Sequence, residues 1–444
     1  MGLLNVTDTY QVDEIRADPS HPPIYDFAPL VNLSDPGVYS SHGGYTFEAF
    51  AEMRRNAPIM WHPEEFGTGY WALSSYDLVR QVELDPETFS SQKGGILMNY
   101  GLEDMPRHPL LHSASLNTMI CLDRPYHTTL RAEHMQFFKP GFVAELKTKV
   151  DAHVTHLLDQ MEKQGPVIDM VEHFSAELPL FTLCEILGVP AADRPKLVHW
   201  MHFLEMSQYQ AQQEGLGNVS PEQIMTFMSE IQALFEFGRD LLMKRREDPK
   251  QDLLSAIAHV EIDGEKLNEE YLDGSWLLIV FAGNDTTRNS LSGTMKLLSE
   301  NPDQRAKLLA NRDLLPNFVH EAIRRVSPVT YMRRTVTKDT ELGGQPLAEG
   351  DKVVMIYPAA NHDPSHFDDP MVFDIERENA KRHLAFGLGP HVCIGQRVAN
   401  MQLEAAYAQI LDRFPECKWT GEMEIAPNNF VHAVAKLEID LGSS

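Results

Sequence analysis

The stretch that decides how this chain is read is "HLAFGLGPHVCIGQRVAN", His383 to Asn400. A single cysteine, Cys393, stands among Gly387, Gly389 and Gly395, with Pro390 and His391 just before it, and an amphipathic run follows at once. A cysteine placed directly before a helix has its thiolate stabilised by the N-terminal dipole and by backbone N–H groups that lack intrahelical partners. The glycines let the backbone bend tightly and approach a flat ligand closely.

Bulk properties narrow the classes of function. The chain has 444 residues, enough for one large domain or two or three ordinary ones. Apolar residues make up 43% and charged residues 23%, the proportions of a globular protein with an ample core. A net charge of −26 speaks against general nucleic-acid binding, which needs a basic face. An electrostatically guided partner must then use a local basic patch. The four cysteines, Cys121, Cys184, Cys393 and Cys417, form no CxxC pair and are too scattered for a disulfide framework, so a reducing compartment is the simpler expectation. The opening "MGLLNVTDTYQVDEIRADPSHPPIYDF" shows neither a basic n-region nor an apolar h-region. The longest apolar run, "WLLIVFA" (Trp276 to Ala282), is far short of the ~20 residues that span a bilayer. The expectation is a soluble cytoplasmic protein without a membrane anchor.

Residues 1–45, rich in Pro, Asp and Ser, read as irregular lead-in, and 46–444 as a single domain. Helical periodicity dominates "VAELKTKVDAHVTHLLDQME", "SPEQIMTFMSEIQALFEFGRDLLMKRRE" and "EEYLDGSWLLIVFAGNDTTRNSLSGTMKLLSE". Strand candidates are "PIMWH", "GYWALSS", "KVVMIYPAA" and "NNFVHAVAKLEID", and "DDPMVFDIERENAKRH" reads as short strands and loops. The fold class is mainly α with minor β.

"WLLIVFAGNDTT" is apolar around the whole helix circumference, so it crosses the interior. Gly283, Asp285 and Thr286 close that run. An interior glycine costs roughly 1 kcal/mol against alanine, which points to something needing space beside the backbone. Thr286 can bond back to the Ala282 carbonyl and distort the helix. A carboxylate beside a hydroxyl in a dry helix can relay protons; the plainer alternative is a small-residue helix crossing with Asp285 paired to Arg288. "EAIRR" puts Glu321 and Arg324 at i,i+3, a pair worth only about 0.2–0.5 kcal/mol on a surface helix. In "NHDPSHF", Asp363-Pro364 breaks the helix that would align His362 with His366, which argues against a metal site. For Cys393, zinc would need ligands from elsewhere, and a nucleophile would need a base that His391, on a turn, does not obviously supply. A lone thiolate suits a metal already held by four other ligands, which is haem iron.

"FGLGPHVCIG" (Phe386 to Gly395) resembles the haem-binding loop of cytochromes P450, F-G-x-G-x-H-x-C-x-G, with every fixed position filled. "AGNDTT" (Ala282 to Thr287) looks like that family's oxygen-activation segment, and "EAIR" resembles its E-x-x-R pair. "FDIER" (Phe373 to Arg377) is similar to the element supplying the third member of the Glu-Arg-Arg cluster, with Ile375 where proline is usual. "DRPYHTTLR" (Asp123 to Arg131) is similar to an early D-P-P-x-H-x-x-x-R segment, with Arg124 in place of its first proline.

The resemblance implies a P450 fold with haem b (iron protoporphyrin IX) between a long interior helix and the cysteine loop. Cys393 would be the axial iron ligand. His127, Arg131, Arg334 and His391 would meet the propionates, whose burial needs cations and donors. Phe386 and Gly387 would cover the sulfur side; Ala282 and Gly283 would lie against the other face. Asp285 and Thr286 would deliver protons during oxygen activation. Glu321, Arg324 and Arg377 would be scaffold. The implied activity is insertion of one oxygen atom from O2 into a C–H bond, with electrons from NAD(P)H through ferredoxin reductase and an iron–sulfur ferredoxin. "KRH" (Lys381 to His383) and Arg397 would supply its basic docking patch on the Cys393-side face. Several stretches resemble the bacterial branch oxidising alkanes, isoprenoids and sterol side chains. The expected pocket segments, Gly94–Leu111, Trp200–Gln210, Ser327–Met332 and "NNFVHAV", are rich in Met, Leu and aromatics, which favours a bulky apolar substrate: terpenoid, steroid or aliphatic chain. A peroxygenase or dehydratase, or a haem or gas sensor, are the alternatives; the retained Asp285–Thr286 pair weighs against the first two, and the apolar pocket segments against the third.

Overall fold

The computed structural model describes residues 18–41, 46–64, 69–92, 109–214, 220–262 and 264–442. Two long helices follow the periodicity of the sequence. In Pro140–Gln164 the residues Val143, Leu146, Val150, Val154, Leu157 and Met161 are buried, an unbroken three-and-four stripe with proline in the first turn. Pro221–Glu247 begins with a capping box, in which the Ser220 side chain accepts from the Gln223 N–H and the Gln223 side chain accepts from the Ser220 N–H.

The interior segment is buried on all sides from Tyr271 to Leu278. It crosses its neighbours at glycines. A Cβ on Gly274 would stand 2.3 Å from the Asn117 carbonyl oxygen, and one on Gly238 would stand 2.6 Å from the Trp276 ring. The long helix expected over this region is in fact two, Glu269–Ala282 and Asp285–Glu300, interrupted at Gly283 and Asn284. Asn284 has φ −91° and ψ −66°. Thr286 Oγ1 donates to the Ala282 carbonyl at 3.0 Å, the back-bond its position allows, so a side chain takes up a carbonyl left over at the break.

A five-stranded sheet has the order Ile59–His62, Tyr70–Leu73, Lys352–Ile356, Tyr331–Val336, Phe89–Ser90. Only the pairing of Lys352–Ile356 with Tyr70–Leu73 is parallel. A second sheet joins Lys418–Ile425, Val434–Asp440 and Val167–Asp169. The stretch Asp368–His383 holds turns and a 3-10 turn over Ala380–Arg382 and none of the expected strands.

The described part of the 1–45 lead-in is more ordered than its composition led one to expect. Pro36–Ser41 is helical. Leu33 is 1% exposed, and its N–H donates to His62 Nε2 at 3.0 Å. Leu33 and Tyr39 pack with Phe50, Tyr331 and Val354 in one apolar cluster.

Candidate active site

The cysteine loop is shaped by its backbone. Gly387 and Gly389 both have φ +68°, a conformation that side chains disfavour. The Cys393 N–H donates to the Phe386 carbonyl at 2.8 Å and closes the loop, and helix Gln396–Arg413 starts three residues later. Cys393 alone of the four cysteines is exposed. Burial nevertheless pushes its thiol up, against the pull of the Gly395 N–H, Arg131 and the Gln396 N–H. The sulfur thus carries open surface while protein surrounds it, so a ligand can reach it. Two N–H groups and a guanidinium beside the sulfur suit a thiolate whose charge a metal has stabilised.

The polar wall beside it gathers the other candidates. The His127 and His391 rings lie 4.0 Å apart, and His391 Nε2 is 3.3 Å from Ser91 Oγ. Burial lowers their pKa values to about 4 for His127 and about 2 for His391, with Arg131 and Arg334 adding to the effect, so both are neutral near pH 7. Among the described residues, each Nδ1 is buried without a hydrogen-bond partner. Arg131 Nη2 donates to the Val392 carbonyl at 2.6 Å, next to the cysteine. Arg334 Nη1 donates to the Arg333 carbonyl at 2.8 Å and its Nη2 to Glu83 Oε2 at 3.2 Å. Two orphaned ring nitrogens beside two guanidiniums form a donor set that suits a pair of carboxylates, so these residues fit haem.

Surface reappears along the interior segment at Ile279, Phe281, Ala282, Gly283, Asp285 and Thr286. Asp285 Oδ1 accepts from Asn284 Nδ2 at 3.2 Å.

Glu321, Arg324 and Arg377 meet. Arg324 donates from Nε and Nη2 to the two Glu321 oxygens, both at 2.8 Å, and Arg377 Nε reaches Glu321 at 3.2 Å. Glu321 and Arg324 are 0% exposed, so the surface-pair value expected for them does not apply. Their helix, Leu315–Val326, ends at Ser327 with φ 42°, one residue before Pro328.

One expectation needs adjustment. His383 is buried and held near a pKa of about 3, hence uncharged, so only Lys381, Arg382 and Arg397 of the basic patch are exposed. Residues 94–108 of the expected pocket, and the side chains of 205–210, lie outside the described residues. His362 and His366 are engaged separately, by the Pro358 carbonyl and by Asp77, and no metal cluster occurs among the described residues.

Glu83 went unforeseen. In the Tyr76–Leu84 helix it continues the stripe Tyr76, Val79, Glu83, where an apolar residue belongs, and that mismatch is the one signal the sequence carried.

Residues 134–429 match the cytochrome P450 family. A methyl-branched lipid omega-hydroxylase of Mycobacterium tuberculosis is 33% identical over 404 residues, 88% of this chain and 90% of the relative. A linalool 8-monooxygenase of Pseudomonas putida is 31% identical over 412 residues, 92% and 98% of the two chains. Among solved structures, a Mycobacterium marinum cytochrome P450 in complex with pseudoionone superposes with a TM-score of 0.84 at 30% identity, covering 95% of this chain and 99% of that one. The chain belongs to the cytochrome P450 family and is a P450 monooxygenase, which implies haem iron and dioxygen. No helix among the described residues is long and apolar enough to cross a membrane.

Proposed function

We propose that this monooxygenase inserts one oxygen atom from O2 into a C–H bond of a bulky apolar molecule, a terpenoid, steroid or aliphatic chain, and that Cys393 would hold the iron of haem b through its thiolate. The observation that carries the reading is the sulfur, reachable yet walled by protein, with the Gly395 and Gln396 N–H groups and Arg131 beside it. Haem, when bound, supplies activation of dioxygen.

The chain's residues then divide the work. His127 and His391, neutral and with free Nδ1 atoms, donate hydrogen bonds to the propionates, while Arg131 and Arg334 balance their charge. Ala282 and Gly283 keep the opposite wall low, and Asp285 and Thr286 pass protons inward at the helix interruption. Phe386 holds the loop through its carbonyl. Glu321, Arg324 and Arg377 hold the scaffold beneath. Relatives named for a methyl-branched lipid and for linalool, and a structural neighbour holding pseudoionone, support an apolar substrate. Electrons come from NAD(P)H by way of a ferredoxin reductase and a ferredoxin seated on Lys381, Arg382 and Arg397, cations on a chain of net charge −26. The catalytic domain is single, takes in the packed part of the lead-in, and works in the cytoplasm.

The test is the reduced, carbon-monoxide-bound spectrum of the purified protein. A red-shifted Soret band is expected, and it is lost in Cys393→Ser and Cys393→His; a variant that keeps the band refutes the ligand assignment. Turnover of a terpene, steroid or fatty chain with NADH, reductase and ferredoxin tests the remainder.

A further inference from the structure

A buried carboxylate on an apolar stripe is costly unless something fixes it there. Glu83 is 3% exposed, and both of its oxygens are engaged. Oε2 accepts from Arg334 Nη2 at 3.2 Å, and Oε1 accepts from the Tyr357 hydroxyl. The Leu388 N–H, inside the cysteine loop, lies near enough to pull its pKa down. One side chain thus ties together three elements distant in sequence: strand Tyr331–Val336, helix Tyr357–Asn361 and the loop.

The loop is cut to admit it. A Cβ on Gly387 would lie 3.2 Å from Glu83 Oε1, and one on Gly389 would lie 2.4 Å from the Glu83 carbonyl oxygen. The Tyr76–Leu84 helix therefore ends against two positions where the loop has no side chain. Burial raises the Glu83 carboxyl, and Arg334, the Tyr357 hydroxyl and the Leu388 N–H pull against that rise.

We propose that Glu83 is a positioning residue of the haem site, holding the Arg334 guanidinium and the Cys393 loop in one fixed relation. It rests on the reading that Cys393 and Arg334 hold haem. Arg334 is clamped between the Arg333 carbonyl and Glu83, so its charge is delivered to one place. Without the carboxylate, the guanidinium loses its anchor and the loop loses the charged group it closes upon at Gly387.

The experiment follows haem transfer from ferric holoprotein to excess apomyoglobin, together with the midpoint potential. Glu83→Gln is expected to release haem about tenfold faster, the scale of one charge-assisted hydrogen bond. Its potential rises, since a nearby negative charge is gone. Because Glu83 acts through Arg334, the double variant E83Q/R334Q releases haem more slowly than the product of the two single effects. A wild-type release rate and potential in E83Q, or strictly multiplicative effects, overturn the proposal. A fall in melting temperature alone counts as overturning it too. Should E83Q fail to fold, Tyr357→Phe decides: it keeps the charged pair, removes one hydrogen bond, and is expected to release haem about threefold faster. An unchanged rate there overturns the proposal. Cys393→Ser, read in parallel, separates the two claims. If it keeps the thiolate band, the reading of the site fails; if it loses the band while E83Q behaves as wild type, only the role of Glu83 fails.

Discussion

Removing the Glu321 carboxylate should unseat the cysteine loop from more than sixty positions away in the sequence. In Glu321→Ala the fully buried Arg324 keeps the carbonyls of Asn361 and Pro370, at 2.8 and 2.9 Å, but loses both of its bonds to a carboxylate. Arg377 Nε and the Asp374 N–H, each 3.2 Å from Glu321, lose an acceptor as well. Stripping one partner from a buried ion pair costs about 3–5 kcal/mol, a large share of the 5–15 kcal/mol that holds a typical domain. The damage has a route. Arg324 holds the Asn361 carbonyl, and Asn361 Oδ1 accepts from the Leu384 N–H at 2.6 Å, at the entrance to the loop. The assay is urea titration of the reduced carbon-monoxide complex, following loss of the red-shifted Soret band. Glu321→Ala should lose the band well below the wild-type midpoint, and Arg324→Ala should do the same. Arg55→Ala, which breaks the exposed pair with Glu52, should stay within about 0.5 kcal/mol of wild type. A Glu321→Ala shift worth less than about 1 kcal/mol would refute the reasoning.

Gly389→Ala, at φ +68° and against the Glu83 carbonyl, should yield protein depleted in haem, whereas Gly141→Ala, with open space around it, should be neutral or stabilising by up to about 1 kcal/mol; the haem-to-protein absorbance ratio and melting temperature decide. Thr286→Ala should retain haem and substrate binding while more of the consumed NADH appears as peroxide; unchanged coupling removes Thr286 from proton delivery. His134 and His383 have pKa values lowered by burial to about 4 and about 3, below the ~6.5 of an unfolded histidine. The unfolded chain therefore binds protons that the folded one refuses, so stability is full above about pH 6.5 and falls as pH drops toward 4, by up to about 1.4 kcal/mol per pH unit for each histidine. Urea midpoints at pH 7 and pH 5 should differ less in His134→Gln, and an equal difference would sink the assignment.

The cysteine loop was legible because its chemistry is local: glycines with positive φ, a thiolate and a helix start lie within eleven residues, Phe386 to Gln396. The Glu321–Arg324 pair was visible as spacing, but its weight came from burial, which a short window cannot reveal. The break at Gly283 showed in composition as small and polar residues after an apolar run, although the periodic pattern on both sides read as one helix. Leu33 and Tyr39 were hidden among prolines and aspartates, since their partners come from elsewhere in the chain, Phe50 from the helix Phe47–Asn56 and Tyr331 and Val354 from the sheet. Glu83 could not be read as a site residue. Its partners stand 251 and 274 positions away, and its place on the stripe Tyr76, Val79, Glu83 hints at burial without naming them.

The interruption at Gly283 and Asn284 divides one rod between two masters. Upstream, Glu269–Ala282 leans on Pro109–Leu116 and Pro221–Glu247; downstream, Asp285–Glu300 leans on Leu315–Val326, Gln396–Arg413 and the second sheet. Changes of side chain at Ile279 and Phe281, where the segment regains surface, can thus reshape that face for a new guest while the half that braces the loop keeps its footing. A lineage of such enzymes could diversify its diet without relearning how to fold.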